Sequence, residues 1–194
     1  MHSINEEKLE ADVLYRFQYL TEFIGFADDD VKAIQAFAPY LGPKVPEIVD
    51  KTYQKLLQYD ATARHFVPRQ HGFDGDTPVD LATLSGDHPQ IKFRKDHLNR
   101  YLVQLIGRSY DDKMVQYLDM VGKMHTPKAG SKELSIPLLQ MNGLMGLLSE
   151  LLTDVILAAT LNTETTARTL RAFGKLLWIQ NDLINRHYAS QLNS

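Results

Sequence analysis

Apolar residues recur at intervals of three and four positions along almost the whole chain, and this spacing restricts it to helices. One such run is Val45, Ile48, Val49, Thr52, Tyr53, Leu56 and Leu57, and another is Leu98, Tyr101, Leu102 and Leu105. Side chains with this spacing share one face of an α-helix. No segment shows a convincing alternation of apolar and polar residues typical of a strand. We therefore expect an all-α domain of seven or eight helices.

Length and composition narrow the class of protein. A chain of 194 residues is long enough for one domain with a sizeable core, so residues 1–194 are expected to form a single domain. Cysteine is absent, which excludes disulfides, thiolate metal sites and a cysteine nucleophile. A net charge of −3 argues against nucleic acid or an anionic membrane surface as partner.

The predicted location is the cytoplasm. The N-terminal stretch MHSINEEKLEAD is polar and acidic, unlike a signal peptide. The richest apolar stretch, residues 136–159, is interrupted by polar residues and is not predicted to span a membrane. These interruptions are Gln140, Asn142, Ser149, Glu150, Thr153 and Asp154.

His125 occupies an unusual position. It follows Met114, Leu118 and Val121 on one apolar helical stripe, where the pattern calls for another aliphatic residue, and Pro127 then stops the helix. One interpretation is a histidine that stabilises the helix end. The other is a metal ligand, in which one ring nitrogen faces the core and the other donates to a freed backbone carbonyl. Haem iron needs only one such protein ligand. With no second histidine three or four residues away, zinc and di-iron sites fit poorly.

Tyr53 also has two interpretations. Its helical neighbours Val49, Leu56 and Leu57 indicate that the ring is at least partly buried. The hydroxyl then either pairs with a backbone carbonyl in the core or donates a hydrogen bond into a pocket.

Two further features bear on function. Residues 67–89 contain three prolines, three glycines and four aspartates and are expected to form a loop, and a loop of this length is usually functional or mobile. The basic cluster KFRK at 92–95 is either a solvated helix face or a contact for an anionic ligand. No nucleophile motif or phosphate-binding glycine loop is present, so nothing in the sequence specifies an enzyme.

Four segments, in order, resemble the protoglobin and sensor-globin superfamily over about residues 13–190. They are RFQYLTEFIGFADDDVKAIQAFAPYL, IVDKTYQKLLQYDATARHF, RKDHLNRYLVQLIGRSYDDKMVQYLDMVGKMH and AFGKLLWIQNDLINRHY. In the third, Gly122 and His125 match the haem-ligating Gly-x-x-His motif. The resemblance implies a globin fold with an additional N-terminal helix, of the type found in globin-coupled sensors.

The resemblance also implies a haem site. Haem b is expected as cofactor, with His125 as its proximal iron ligand and Tyr53 as distal donor to dioxygen. The expected contacts of the haem are Phe66, Leu98, Leu147 and Leu151, and Arg94 at the propionates. Leu98 and Leu147 are smaller than the aromatic residues found at some of these positions in protoglobins, and predict a roomier pocket. His97, next to Leu98, leaves a second axial ligand open.

The expected function is therefore reversible binding of a diatomic gas, O₂ and also CO or NO, by an oxygen-binding globin or gas sensor. The alternative is a haem enzyme that acts on NO, nitrite or peroxide with an external electron donor, since no flavin or nicotinamide domain is apparent. The resemblance further implies a homodimer formed through the last two helices, and a sensor would act on a separate signalling partner.

Overall fold

The computed structural model describes residues 2–129 and 134–189, and this part of the chain is built from helices without a strand. The α-helices are α1 (Glu6–Ala11), α2 (Val13–Ile24), α3 (Asp28–Leu41), α4 (Val45–Leu57), α5 (Asp60–Ala63), α6 (Pro89–Gly107), α7 (Asp112–Lys123), α8 (Leu138–Ala158) and α9 (Thr163–Ala189). Short 3₁₀-helices at Gly42–Lys44 and Arg64–Phe66 lead into α4 and out of α5. The periodicity therefore predicts the secondary structure class correctly.

Helix α9 is the centre of the molecule, and it packs against α2, α3, α7 and α8. Leu176, Ile179 and Leu183 on this helix are completely or almost completely buried, as its apolar spacing requires. On the other side, α4 packs against α6 and α8. The helices thus form two groups, with α4 and α6 in one, α7 and α9 in the other, and α8 in contact with both.

Ion pairs fix α9 to its neighbours. Arg16 on α2 donates to both carboxylate oxygens of Asp182, at 2.6 and 2.8 Å. Lys175 lies 2.8 Å from Asp30 of α3, whose carboxylate also accepts from the Ala27 N–H and so caps that helix. These pairs are partly buried and have good geometry, so they position the helices more firmly than exposed pairs would.

Among the described residues, α8 is the one helix long and apolar enough to cross a membrane by length and composition. The core helix of a globular protein passes the same test. Here Met141, Met145, Leu148, Leu152 and Ile156 are buried against the rest of the fold.

Candidate functional site

His125 lies in the turn that follows α7, two residues beyond the end of the helix at Lys123. Its Nδ1 lies 2.7 Å from the carbonyl oxygen of Val121. A carbonyl can only accept, so Nδ1 carries the ring proton and Nε2 keeps a free lone pair. No described residue hydrogen-bonds to Nε2. His125 lines an internal cavity, and its unpartnered nitrogen is available there.

The environment keeps this imidazole neutral. Burial lowers the pKa of His125 to about 4, and the positive charge of Arg94 acts in the same direction against the carbonyl acceptors of Val121 and Gly122. At neutral pH the ring is therefore unprotonated, which is the form that binds a metal ion.

The facing wall of the cavity is built by α4, α6 and the 3₁₀-helix that ends at Phe66. Tyr53 is only 4% exposed, and its ring centroid lies 5.5 Å from that of Phe66. Arg94 and Leu98, one helical turn apart on α6, line the same wall. Burial raises the pKa of the Tyr53 hydroxyl, with the charge of Arg94 opposing it. This hydroxyl is therefore protonated at neutral pH and able to donate.

Most of the remaining lining is apolar. The cavity has a volume of about 230 Å³. Its aliphatic and thioether lining includes Leu56, Val121, Met124, Ile136, Met141, Leu144, Met145, Leu148 and Ile184. An apolar cavity with a few convergent polar groups is the usual form of a cofactor site.

Five of the residues predicted for the site meet at this cavity: Tyr53, Phe66, Arg94, Leu98 and His125. Leu147 and Leu151 do not line it. On α8 the side chains that face the cavity are instead Leu144, Met145 and Leu148. Leu151 lies in a separate groove between α4 and α8, beside Ile48 and Lys51. Helix α8 is apolar around most of its circumference, so the sequence did not reveal which face turns inward.

Other lining residues were not predicted. Tyr117 lies on α7 and Met124 directly follows it. Their closeness to His125 in the sequence could have indicated that they line the same cavity. Gln140 and Ile184 come from distant elements, and no local pattern marks them. His97 also lines the cavity, with Nδ1 2.8 Å from the Phe93 carbonyl oxygen. Nδ1 therefore donates to this carbonyl, and Nε2 is the ring nitrogen that could serve as a second ligand.

The long loop is anchored beside this wall. Gln90, at the start of α6, accepts from the Gln70 N–H and donates to the Phe66 carbonyl oxygen at 2.7 Å. Further along the loop the Phe73 ring contacts Phe93, which in turn contacts His97 at a centroid distance of 4.3 Å. The loop thus has a defined attachment to α6, one turn of helix away from the cavity.

The residues present fit a haem. His125 offers one unpartnered, uncharged nitrogen to an apolar space, which is what haem iron requires from a proximal ligand. Helices α4 and α6 offer a protonated hydroxyl and a cation to the same cavity. Such a set would provide one protein ligand to the iron, an apolar environment and polar groups near a bound ligand.

Comparisons with known proteins concern the fold of the chain. The globin domain of a globin-coupled sensor from Geobacter sulfurreducens is similar in fold, with a TM-score of 0.71 and 17% sequence identity, over 89% of this chain and 97% of that one. The ferric globin domain of DosC from E. coli has a TM-score of 0.62 and 14% identity, over 88% and 97%. No curated protein matches the chain.

These likenesses establish a globin fold of the globin-coupled-sensor type, as expected from the sequence. The sequence model of the protoglobin family matches residues 14–194, which is nearly the whole chain. The chain belongs to the protoglobin family.

Proposed function

We propose that this chain binds haem b through His125 and uses it to bind O₂ reversibly, with CO and NO as further ligands. Membership of the protoglobin family supports haem-based gas binding and sensing as the general function. The single observation that carries the specific proposal is the orientation of His125. Its Nδ1 is fixed by Val121, which leaves Nε2 as a neutral, unpartnered ligand at an apolar cavity.

A bound haem would supply an iron able to coordinate the gas. The chain supplies the rest. Phe66 and Leu98 exclude water on the wall that faces His125, and the Tyr53 hydroxyl donates a hydrogen bond to a ligand that develops negative charge there. Arg94 was expected at a propionate, and it lines the cavity together with Tyr53.

Several finer points belong to the same proposal. Residues 1–194 act as one domain in the cytoplasm, and two copies associate through α8 and α9. The support for association is the exposure of large apolar side chains on these two helices: Leu139 is 82% exposed, Leu157 59% and Trp178 69%. A sensor of this kind would pass its signal to a separate partner.

The test is replacement of His125 by glycine. Purified wild-type protein should contain one haem per chain and show ferric, ferrous and CO-bound absorption spectra of a histidine-ligated globin. His125→Gly should lose tight haem binding, and added imidazole should restore part of it by occupying the vacated position. The solvent-exposed His71 gives the matched control, since His71→Ala should keep a full haem complement.

Two outcomes would contradict the assignment. A normal ferrous-CO spectrum in His125→Gly would show that another residue holds the iron. Loss of haem in His97→Ala, with His125→Gly unaffected, would transfer the proximal role to α6.

A further inference from the structure

Three cations follow closely at the start of α6, and the middle one differs from the others. Lys92 lies 3.7 Å from Asp87 and Lys95 lies 2.9 Å from Asp50, both at exposed carboxylates. Arg94 forms no ion pair with any described residue. It turns into the cavity instead, where its Nε is buried without a hydrogen-bond partner.

Arg94 lines the same cavity as Tyr53 and His125. Its charge opposes the effect of burial on the pKa of the Tyr53 hydroxyl. A guanidinium in a mostly apolar space is costly unless an anion accompanies it. The positive charge of Arg94 therefore has no anionic partner among the described residues, and an anion in the cavity would supply one.

The chemistry of Arg94 and Tyr53 sets the direction of a hydrogen bond between them. A guanidinium has only donors, so the Tyr53 oxygen would be the acceptor. The hydroxyl hydrogen then remains free to point at a ligand, and a donor that already accepts a hydrogen bond is polarised and donates more strongly. Tyr53 and Arg94 together present a hydroxyl donor backed by a full positive charge.

We propose that Arg94 and Tyr53 make the ligand side of this cavity selective for small monovalent anions that coordinate iron, such as azide and nitrite. The inference rests on the proposed haem site. Selectivity arises because the charge of Arg94 stabilises an anion directly, whereas a neutral ligand such as CO receives little stabilisation from it. The apolar lining excludes water that would otherwise screen the charge.

The experiment compares Arg94→Met with Lys92→Met in the haem-loaded protein. Both remove one positive charge from α6, but only the first removes it from the cavity. Azide and nitrite are titrated into the ferric form, and CO into the ferrous form as the neutral comparator. For Arg94→Met we expect anion affinity to fall about tenfold or more, the range of a charged hydrogen bond, with much less change for CO. Lys92→Met should match the wild type for all three ligands.

The CO stretching frequency and two further variants test whether the effect comes from the charge of Arg94. A nearby positive charge favours electron donation into CO, so the CO stretching band should move to higher wavenumber in Arg94→Met and stay in place in Lys92→Met. Arg94→Lys should retain part of the anion preference because it retains the charge. Arg94→Gln, which keeps donors without the charge, should lose most of it and also serves if Arg94→Met does not fold.

Each opposing result has a distinct meaning. Unchanged anion affinity with faster loss of haem to an apo-globin acceptor would place Arg94 at a propionate and overturn the inference. Equal weakening of azide, nitrite and CO would indicate general damage to the cavity and overturn it as well. Wild-type protein that takes up no haem would refute the proposed function itself, and this is visible before any anion is added.

Discussion

At the scale of single residues, the important polar group at the cavity is the Tyr53 hydroxyl, which forms no hydrogen bond with a described backbone carbonyl. Tyr53 is buried, yet the groups near its oxygen are a guanidinium and the cavity rather than a carbonyl of its own helix. Thr52, its neighbour, shows the contrast: its hydroxyl donates to the Ile48 carbonyl oxygen at 2.8 Å, an ordinary internal helix contact. Burial of a hydroxyl at the cavity is expected to have a functional reason.

Tyr53→Phe isolates that hydroxyl because it keeps the ring against Phe66. We expect O₂ to dissociate about ten- to a hundredfold faster, corresponding to loss of about 1.5–3 kcal/mol, because a hydrogen bond to a ligand with negative charge is lost. CO, which carries little such charge, should respond much less. Stopped-flow O₂ release and flash-photolysis CO rebinding measure both effects.

Tyr101→Phe is the matched control, since Tyr101 is buried and lines the same cavity from α6. Its O₂ release should stay within a few-fold of the wild type. Small and equal changes for both gases in Tyr53→Phe would mean that Tyr53 only fills space, and Tyr101 or His97 would then be the donor.

Reasoning from the sequence singled out individual residues where one side chain departs from a pattern. His125 interrupts an apolar stripe and Tyr53 carries a hydroxyl on another, and both lie at the cavity. Arg94 shows the limit of such reasoning. In the sequence Arg94 belongs to a basic cluster typical of a solvated face. Only the tertiary structure distinguishes it from Lys92 and Lys95, because those two lysines pair with Asp87 and Asp50.

At the scale of helices, the position of α7 is determined by a glycine. A Cβ atom on Gly122 would lie 2.8 Å from both the Ile184 Cα and the Leu183 carbonyl oxygen of α9. Both are backbone atoms, so the contact cannot relax by rotation of a side chain. This is a physical reason for the glycine three residues before His125: α7 must approach α9 this closely to place the imidazole at the cavity.

Gly122→Ala should therefore destabilise the fold, by about 1–3 kcal/mol as for other overpacked positions, even though alanine favours helix. Urea unfolding gives the free energy, and the ferric absorption spectrum reports any displacement of His125. Gly174→Ala is the control: Gly174 lies inside α9 with nothing within 4 Å of the added atom. It should stabilise the protein by about 0.5–1 kcal/mol. Equal effects in the two variants would show that the close contact is not limiting.

Helix boundaries and faces were predicted less accurately than helix existence. The apolar stripe indicated that His125 is part of the helix that Pro127 stops, but α7 ends at Lys123. His125 therefore lies in the following turn, where its Nδ1 donates to the Val121 carbonyl oxygen. For α8, the apolar residues surround the helix, so Leu147 and Leu151 were as plausible as Leu144 and Leu148. Which face turns inward depends on contacts with α4 and α9 that no local pattern encodes.

At the scale of the whole molecule, large apolar side chains that do not line the cavity are exposed on the surface. Trp178 on α9 is 69% exposed and Leu157 on α8 is 59% exposed. Exposed tryptophan is frequent at interfaces and often contributes a large part of their binding energy. Both side chains lie on the two helices proposed to pair.

Trp178→Glu should weaken self-association by at least tenfold, because it removes an aromatic anchor and places a charge in the interface. Sedimentation equilibrium over a range of concentrations measures the dissociation constant, and haem content checks that the fold survives. Phe23→Glu is matched to it, since Phe23 on α2 is 77% exposed and lies outside the two helices. A wild-type protein that stays monomeric at high concentration would exclude the dimer.

The contact between Gly122 and α9 has a mechanical consequence. Most packed helices are separated by interlocking side chains, and small shifts are absorbed when those side chains change rotamer. At Gly122, the backbone of α7 packs directly against the backbone of α9 at Leu183 and Ile184, so a change of rotamer cannot absorb a shift there. A displacement of the turn that carries His125 would therefore move α9 as a rigid body, and α9 in turn packs against α2, α3 and α8.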